Sequence, residues 1–231
     1  MRAIKKFFLT ILLILLIVLS IIIASGWGKY KQAITTLPLE TAAKNIKNQQ
    51  SFTPIDEIPE IFINAMVAVE DRRFYKHNGI DYIGVVRAMK KNVEEKALLE
   101  GGSSITQQLA KNIYFMGDDT LSRKIAEIFV TADLEKTFTK DEILELYFNV
   151  IYYGSGYYCI GDASEGYFGK TPDQLTDYEA TILAGIPNAP SVYSLKNNPD
   201  LAKKRQITVV EAMVSEDYIT QEEADKIISL Q

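Results

Sequence analysis

From Phe7 to Ala24 the chain carries no charge, and only Thr10 and Ser20 interrupt a continuous run of apolar side chains. At about 1.5 Å per helical residue this run covers most of a hydrocarbon core roughly 30 Å thick. Arg2, Lys5 and Lys6 precede it, so the positive-inside bias puts the N-terminus in the cytoplasm and the remaining chain outside. Trp27 and Tyr30 follow, as amphipathic rings do at an outer interface. The rival reading is a cleaved signal peptide. Its apolar region is shorter, roughly 7–15 residues, and ends in a small-x-small site that Ile23-Ala24-Ser25-Gly26 matches only weakly. Under either reading the rest of the chain is exported.

About 205 residues follow Gly26, enough for one domain with a real core and room for a small lobe. The whole chain has a formal net charge of −5, and three of its positive charges lie before the apolar run. The exported part is therefore acidic, which argues against nucleic acid as a partner. Cys159 is the single cysteine and His77 the single histidine, so an internal disulfide framework and a multi-histidine zinc site are both excluded. No metal-ligating set is expected, and chemistry falls to carboxylates, Lys, Arg and amides.

Residues 28–52 are polar and weakly patterned, which predicts a stalk or short helix above the membrane. Beyond Pro54 the periodicity is helical. Pro59 suits a first helical turn, and Phe62, Met66 and Val69 share a face up to Glu70. A second helix carries Ile83, Val86, Ala88 and Met89, then runs into the charged residues 90–100; with Gly101-Gly102 behind them, residues 90–102 read as a mobile flap. The next helix, 103–114, sets Ile105, Leu109 and Ile113 in an apolar row and Ser103, Gln107 and Lys111 nearly opposite. Ser122 is the expected cap of a helix over 123–136, and Thr139 with Glu142 forms a capping box opening another at 140–149. Residues 151–161 read as a Gly/Tyr-rich loop, and helices resume near Glu165, at 177–185, 199–215 and 220–229. The fold class is mainly α.

Two segments stand out chemically. The first, Glu70-Asp71-Arg72-Arg73, closes an apolar helix with two acids and two bases. Glu70 sits where the helix macrodipole disfavours negative charge and raises a carboxylate pKa, whereas Arg72 and Arg73 push it down; spacing alone leaves that balance open. The functional reading is a general base in a cleft, and the bland one a charged helix end with Asn78-Gly79 as a turn. His77 reads as a loop-stabilising residue. In the second segment, Gly101-Gly102 before a helix N-terminus suits an anionic group held by backbone N–H, with Lys111 as a point charge two turns on. The bland reading is a hinge into an amphipathic core helix. Arg123 and Glu127, at i and i+4, can pair; alone, that is an ordinary solvated salt bridge worth well under about 1 kcal/mol.

Four phrases in order, EDRRFYKHNGID (70–81), GGSSITQQLAKN (101–112), RKIAE (123–127) and KDEILELYFN (140–149), resemble the family 51 glycosyltransferases, as does the weaker NPDLAKKRQITVVEAM (198–213). These are peptidoglycan polymerases that occur alone or at the head of class A penicillin-binding proteins. The resemblance implies a lysozyme-like helical domain with a small membrane-proximal jaw lobe, preceded by one transmembrane helix. The implied division is a cytoplasmic tail (1–6), an anchor (7–24), a stalk (25–52) and a glycosyltransferase domain (53–231).

The implied reaction joins lipid II units into a glycan strand and releases undecaprenyl pyrophosphate. Glu70 matches the family's catalytic glutamate, proposed to deprotonate the acceptor 4-hydroxyl. Glu127 matches a second essential glutamate that organises the pyrophosphate region, directly or through a divalent cation such as Mg or Mn; no cofactor is otherwise required. Ser103, Gln107 and Lys111 match donor-site positions, Arg123, Lys124 and Arg205 match basic positions, and Asp71 is grouped with them as substrate-binding. The implied partners are lipid II, the growing lipid-linked glycan, membrane lipid and other cell-wall synthesis proteins, and the implied location is a bacterial cytoplasmic membrane.

Departures exist. Asp119 stands where some relatives carry an arginine, and Ser104 replaces a commoner threonine. No Ser-x-x-Lys or Lys-Thr/Ser-Gly motif occurs before Gln231, which argues against a transpeptidase domain here, as in a monofunctional polymerase or a piece of a bifunctional one. The alternatives are a lysozyme-like glycan hydrolase with Glu70 as general acid, and a tethered scaffold with decayed motifs.

Overall fold

The computed structural model describes residues 2–94 and 101–230. Eleven α-helices follow in order among these residues: α1 (Arg2–Thr36), α2 (Leu39–Lys47), α3 (Glu60–Glu70), α4 (Tyr82–Glu94), α5 (Ile105–Tyr114), α6 (Leu121–Thr137), α7 (Lys140–Phe148), α8 (Ile160–Phe168), α9 (Asp177–Gly185), α10 (Pro199–Ser215) and α11 (Gln221–Ile228). No strand occurs among the described residues, as the periodicity predicts. Of the flap expected over 90–102, residues 90–94 continue α4, and 95–100 lie outside the described residues.

Local chemistry explains most of the helix starts. Ser104, Thr139, Thr176 and Thr220 each accept a hydrogen bond from the backbone N–H three residues on, and the side-chain oxygen of the Gln or Glu at that position accepts one from the cap's own N–H. Each such reciprocal cap is worth about 1 kcal/mol. The cap of α6 is Thr120, not Ser122: its hydroxyl accepts from Arg123 N, and the helix opens two residues earlier than expected.

Two groups of helices make the core. In one, α3 packs on α9 and α10, burying Phe62, Ala65, Met66, Val67 and Ala68 of α3 and every residue of α9 from Ala180 to Gly185. In the other, α5 packs on α6 and α7. The groups meet where Phe62 of α3 stands edge-on to Phe148 of α7, with ring centroids 5.1 Å apart. The charged end of α3 and the charged stretch of α10 thus face the polar sides of α5 and α6.

Helix α1 is long and apolar enough to cross a membrane, and none of its most apolar 18-residue window is buried against the domain. It continues unbroken to Thr36, through the first residues of the segment expected as a stalk over 25–52. Residues of the segment expected as a stalk or short helix pack on the domain. Tyr30, Ala33 and Ile34 pack on the main core, and Leu39, Ala43 and Ile46 of α2 belong to it. The apolar spacing of residues 30–46 escapes notice because the buried side chains alternate with Lys, Thr and Asn that stay in water.

Candidate active site

A cavity of about 1220 Å³ lies between the two helix groups. Glu70, Ser103, Gln107, Lys111, Arg123, Lys124, Glu127 and Arg205 all line it. Among the described residues seven Lys or Arg side chains face it against three carboxylates. An acidic chain therefore carries a locally positive cleft, suited to an anionic ligand. Asp119, by contrast, is exposed and does not line it.

Glu70 is the last residue of α3, and its side chain is only 9% exposed. Gln108 Nε2 donates to Glu70 Oε2 at 3.0 Å, and Arg205 Nη2 stands 4.0 Å from Oε1, too far for a hydrogen bond. Burial pushes the Glu70 carboxyl above its ordinary range, with Gln108 and Arg205 pulling it partly back and Asp71 adding to the rise. Upward wins. The balance left open by the sequence is decided elsewhere in the fold, because Arg72 pairs with Glu216 at 3.3 Å and Arg73 with Asp81 at 3.2 Å. The cation beside Glu70 comes from α10. Arg205 runs against Gly185, where a Cβ would meet its Cγ at 3.0 Å, and its guanidinium lies 5.9 Å from the Tyr193 ring centroid.

On the facing side, Glu127 is buried to 1%. Its carboxylate accepts from Arg123 Nη1 and Lys124 Nζ, and from Gln107 Nε2 at 3.4 Å; Lys124 Nζ also donates to Ser103 Oγ at 3.0 Å. The Arg123–Glu127 pair forms as the i, i+4 spacing predicts, but it is not the solvated bridge that spacing alone suggests. Two cations on one buried carboxylate leave a net positive charge at the cleft wall. Both oxygens of Glu127 are already occupied, and no group of three or more His, Cys, Asp or Glu able to hold a metal occurs among the described residues. These donors do not fit a divalent cation held by the protein alone.

Asp71 lies apart from the other candidate residues. It does not line the cavity and is 6% exposed. Its Oδ2 accepts from Ile105 N at 3.0 Å, and its carboxylate meets His77 Nε2 at 2.9 Å. It ties the loop after α3 to the start of α5, and His77 is the loop-stabilising residue its setting suggested. The same bond revises the anion site expected at the N-terminus of α5. The N–H of Ile105 goes to Asp71, that of Gln107 to the Ser104 hydroxyl at 3.1 Å and that of Ser104 to Gln107 Oε1 at 3.1 Å, so three of the four orphan donors are taken by the protein. Ser104 Oγ in turn donates to Gly79 O. Gly79 has φ +89°, and a Cβ there would lie 2.7 Å from Thr131 Cγ2, so the turn admits only glycine.

Two residues were not singled out in the sequence, Gln108 and Tyr147. Gln108 faces Glu70 from α5, and the Tyr147 hydroxyl, fully buried on α7, donates to Gln108 Oε1 at 3.0 Å. Their only sequence signal is the second amide of the Gln-Gln pair, and nothing local says which way it points. Among the described residues six buried side-chain polar atoms have no hydrogen-bond partner; His77 Nδ1, Thr131 Oγ1 and Glu145 Oε1 lie away from the cavity, and the other three are Glu70 Oε1, Arg123 Nε and Arg205 Nε. All three residues border the cavity, and polar groups left unmatched in a cleft mark where a ligand binds.

The cavity thus sets the unmatched carboxylate oxygen of Glu70 across from a basic wall, an arrangement that suits an anionic ligand. The sequence profile of the transglycosylase family matches residues 32–214, and the chain belongs to that family. It is 45% identical over 189 residues to a protein of Cupriavidus necator named as a transglycosylase, covering 82% of this chain and 81% of that one. It is 42% identical over 183 residues to penicillin-binding protein 1A of Neisseria gonorrhoeae, covering 79% of this chain and 23% of that one. With penicillin-binding protein 2D of Bacillus subtilis, identity is 44% over 184 residues, 80% of this chain and 27% of the relative. The chain thus spans about a quarter of the penicillin-binding proteins it matches. A crystal structure of penicillin-binding protein 1A from Haemophilus influenzae aligns over 54% of this chain and 15% of that one, at 31% identity and a TM-score of 0.37, too loosely to bear on the fold.

Proposed function

We propose that this chain is a membrane-anchored peptidoglycan glycosyltransferase that polymerises lipid II into glycan strands with release of undecaprenyl pyrophosphate. The observation that carries the reading is a single cavity holding one buried, unmatched carboxylate oxygen, Glu70 Oε1, opposite the Lys111, Arg123 and Lys124 cations. Glu70 takes the proton of the acceptor 4-hydroxyl. The freed oxygen bonds to the donor's anomeric carbon, and the bond from that carbon to the pyrophosphate oxygen breaks with its electron pair. The leaving group is already activated, so one base and electrostatic stabilisation of the departing charge are enough. A carboxyl raised by burial is a better base near neutral pH than an ordinary one.

Lys111 is the point charge for the pyrophosphate, joined by Arg123 and Lys124, which Glu127 holds in place. Any divalent cation, Mg or Mn, would arrive with the pyrophosphate, since Glu127 already accepts from Arg123, Lys124 and Gln107. Arg2, Lys5 and Lys6 support an N-terminus in the cytoplasm and a domain facing outward, where lipid II, the growing glycan, membrane lipid and other cell-wall synthesis proteins would be its partners.

The test is incubation of wild type and Glu70→Gln with lipid II in parallel, and of wild type with preformed glycan. Glycan growth by wild type and its loss in Glu70→Gln, with lipid II binding retained, is the expected result. Cleavage of preformed glycan without strand growth would reject the reading in favour of a hydrolase.

A further inference from the structure

Helix α6 has two working faces. Arg123, Lys124 and Glu127 look into the cleft, while Ser122, Ile125, Phe129 and Asp133, spaced at three and four residues, lie under the outer end of α1. The approach is closest at Gly26. A Cβ built there would lie 2.5 Å from Ile125 Cβ and 2.9 Å from the Ser122 carbonyl oxygen, closer than side-chain atoms pack. Around it, the Trp27 and Tyr30 rings stand 5.0 and 5.4 Å from that of Phe129, and Tyr30 Oη donates to Asp133 at 2.5 Å. Lys29 pairs with Asp118 and donates to Thr120 Oγ1, the cap of α6, at 3.0 Å. The same helix provides its own comparison: Gly28 is exposed, and a Cβ there meets nothing within 4 Å. A helical glycine sacrifices roughly 0.5–1 kcal/mol relative to alanine, and only Gly26 gains a close helix contact in exchange.

We propose that Gly26 and Lys29 are positioning residues that lock α6 to α1. The apolar helix and the cationic wall of the cleft then form one rigid unit, held at a set height above the membrane. The functional half of this inference rests on the polymerase reading: a substrate fixed in the bilayer by its prenyl chain presents its pyrophosphate at one depth, and α1 brings Arg123 and Lys124 to that depth.

The experiment compares full-length wild type, Gly26→Leu, Lys29→Met and Gly28→Leu on lipid II in proteoliposomes and on a short-prenyl lipid II analogue in detergent micelles. Amide exchange over residues 121–137 is followed in each. Glycan formation at the bilayer should slow about tenfold in Gly26→Leu and about threefold in Lys29→Met, or about 1.4 and 0.7 kcal/mol. Rates on the short-prenyl analogue should stay within about twofold of wild type. Exchange in α6 should quicken in both variants, and Gly28→Leu should match wild type throughout. A Gly26→Leu protein indistinguishable from Gly28→Leu overturns the proposal. Should Gly26→Leu misfold and lose both activities, Lys29→Met decides: a bilayer-selective loss sustains the proposal, and an equal loss on both substrates or none overturns it. A wild type silent on both substrates would reject the polymerase reading, and unchanged α6 exchange in both variants would independently reject the lock.

Discussion

The buried hydroxyl of Tyr147 donates to the side-chain carbonyl of Gln108 at 3.0 Å, and thereby sets which end of that amide meets Glu70. An ionised carboxylate only accepts, so Gln108 must present its NH₂ to Glu70 Oε2 and its oxygen to Tyr147. Burial holds the Tyr147 phenol well above its ordinary pKa, so it remains a donor throughout the working range. Glu70 Oε1 is left as the atom free to take a proton.

Gln108→Leu should therefore shift the pH dependence as well as slow the enzyme. Its hydrogen bond lowers the Glu70 pKa, so removing it lets burial raise that pKa further. Glu70, as the proposed base, must be ionised to act, so the acid limb of kcat/KM should move to higher pH. Tyr147→Phe should move it the same way by less. A lower rate with an unmoved limb, read from a pH–rate profile, would deny Gln108 this role.

Glu70 should also leave a mark on stability. Its folded pKa is raised, so above the ordinary carboxylate range the unfolded chain releases a proton that the folded chain retains. Stability from this group is then lost as pH rises through that window toward the folded pKa. Glu70→Gln removes the loss. Thermal melts should show the variant above wild type at neutral pH, with the gap closing as the medium is acidified.

Asp71→Ala should damage the fold and spare substrate affinity. It strips the partner from Ile105 N and from His77, both inside the protein. Leaving one buried donor unmatched costs about 2 kcal/mol, roughly 4–8 °C in Tm for a chain of this size. KM for lipid II, measured where the variant is still folded, should match wild type.

Glu127→Ala leaves Arg123 and Lys124 facing each other without their shared carboxylate. The loss should be about 3 kcal/mol, the low end for breaking a buried pair, because Lys124 is 39% exposed and water relieves part of it. Denaturant unfolding measures this. Activity should fall as well, since neither cation then keeps its place in the cleft wall where the pyrophosphate is proposed to bind.

Much of this protein is legible from spacing alone. The apolar run before Ala24, the helical periods, the Thr139–Glu142 cap and the Arg123–Glu127 pair all follow from chemistry within a few residues, because a helix brings i and i+4 together whatever surrounds it. The four phrases read in order point to the family in the same way. What lies beyond local reach is each charge's partner. Arg72 and Arg73, next to Glu70 in the chain, turn away to Glu216 and Asp81, and the cation beside Glu70 is Arg205, more than a hundred residues on. Asp71 looks like a second acid of the site, and the fold spends it on the start of α5. Gln108 gains its role only when α3 and α7 close on α5. Burial and long-range charge pairing depend on which helix faces meet, and those, not spacing, set the pKa of Glu70 and turn the Glu127 bridge from a solvated pair into a buried one.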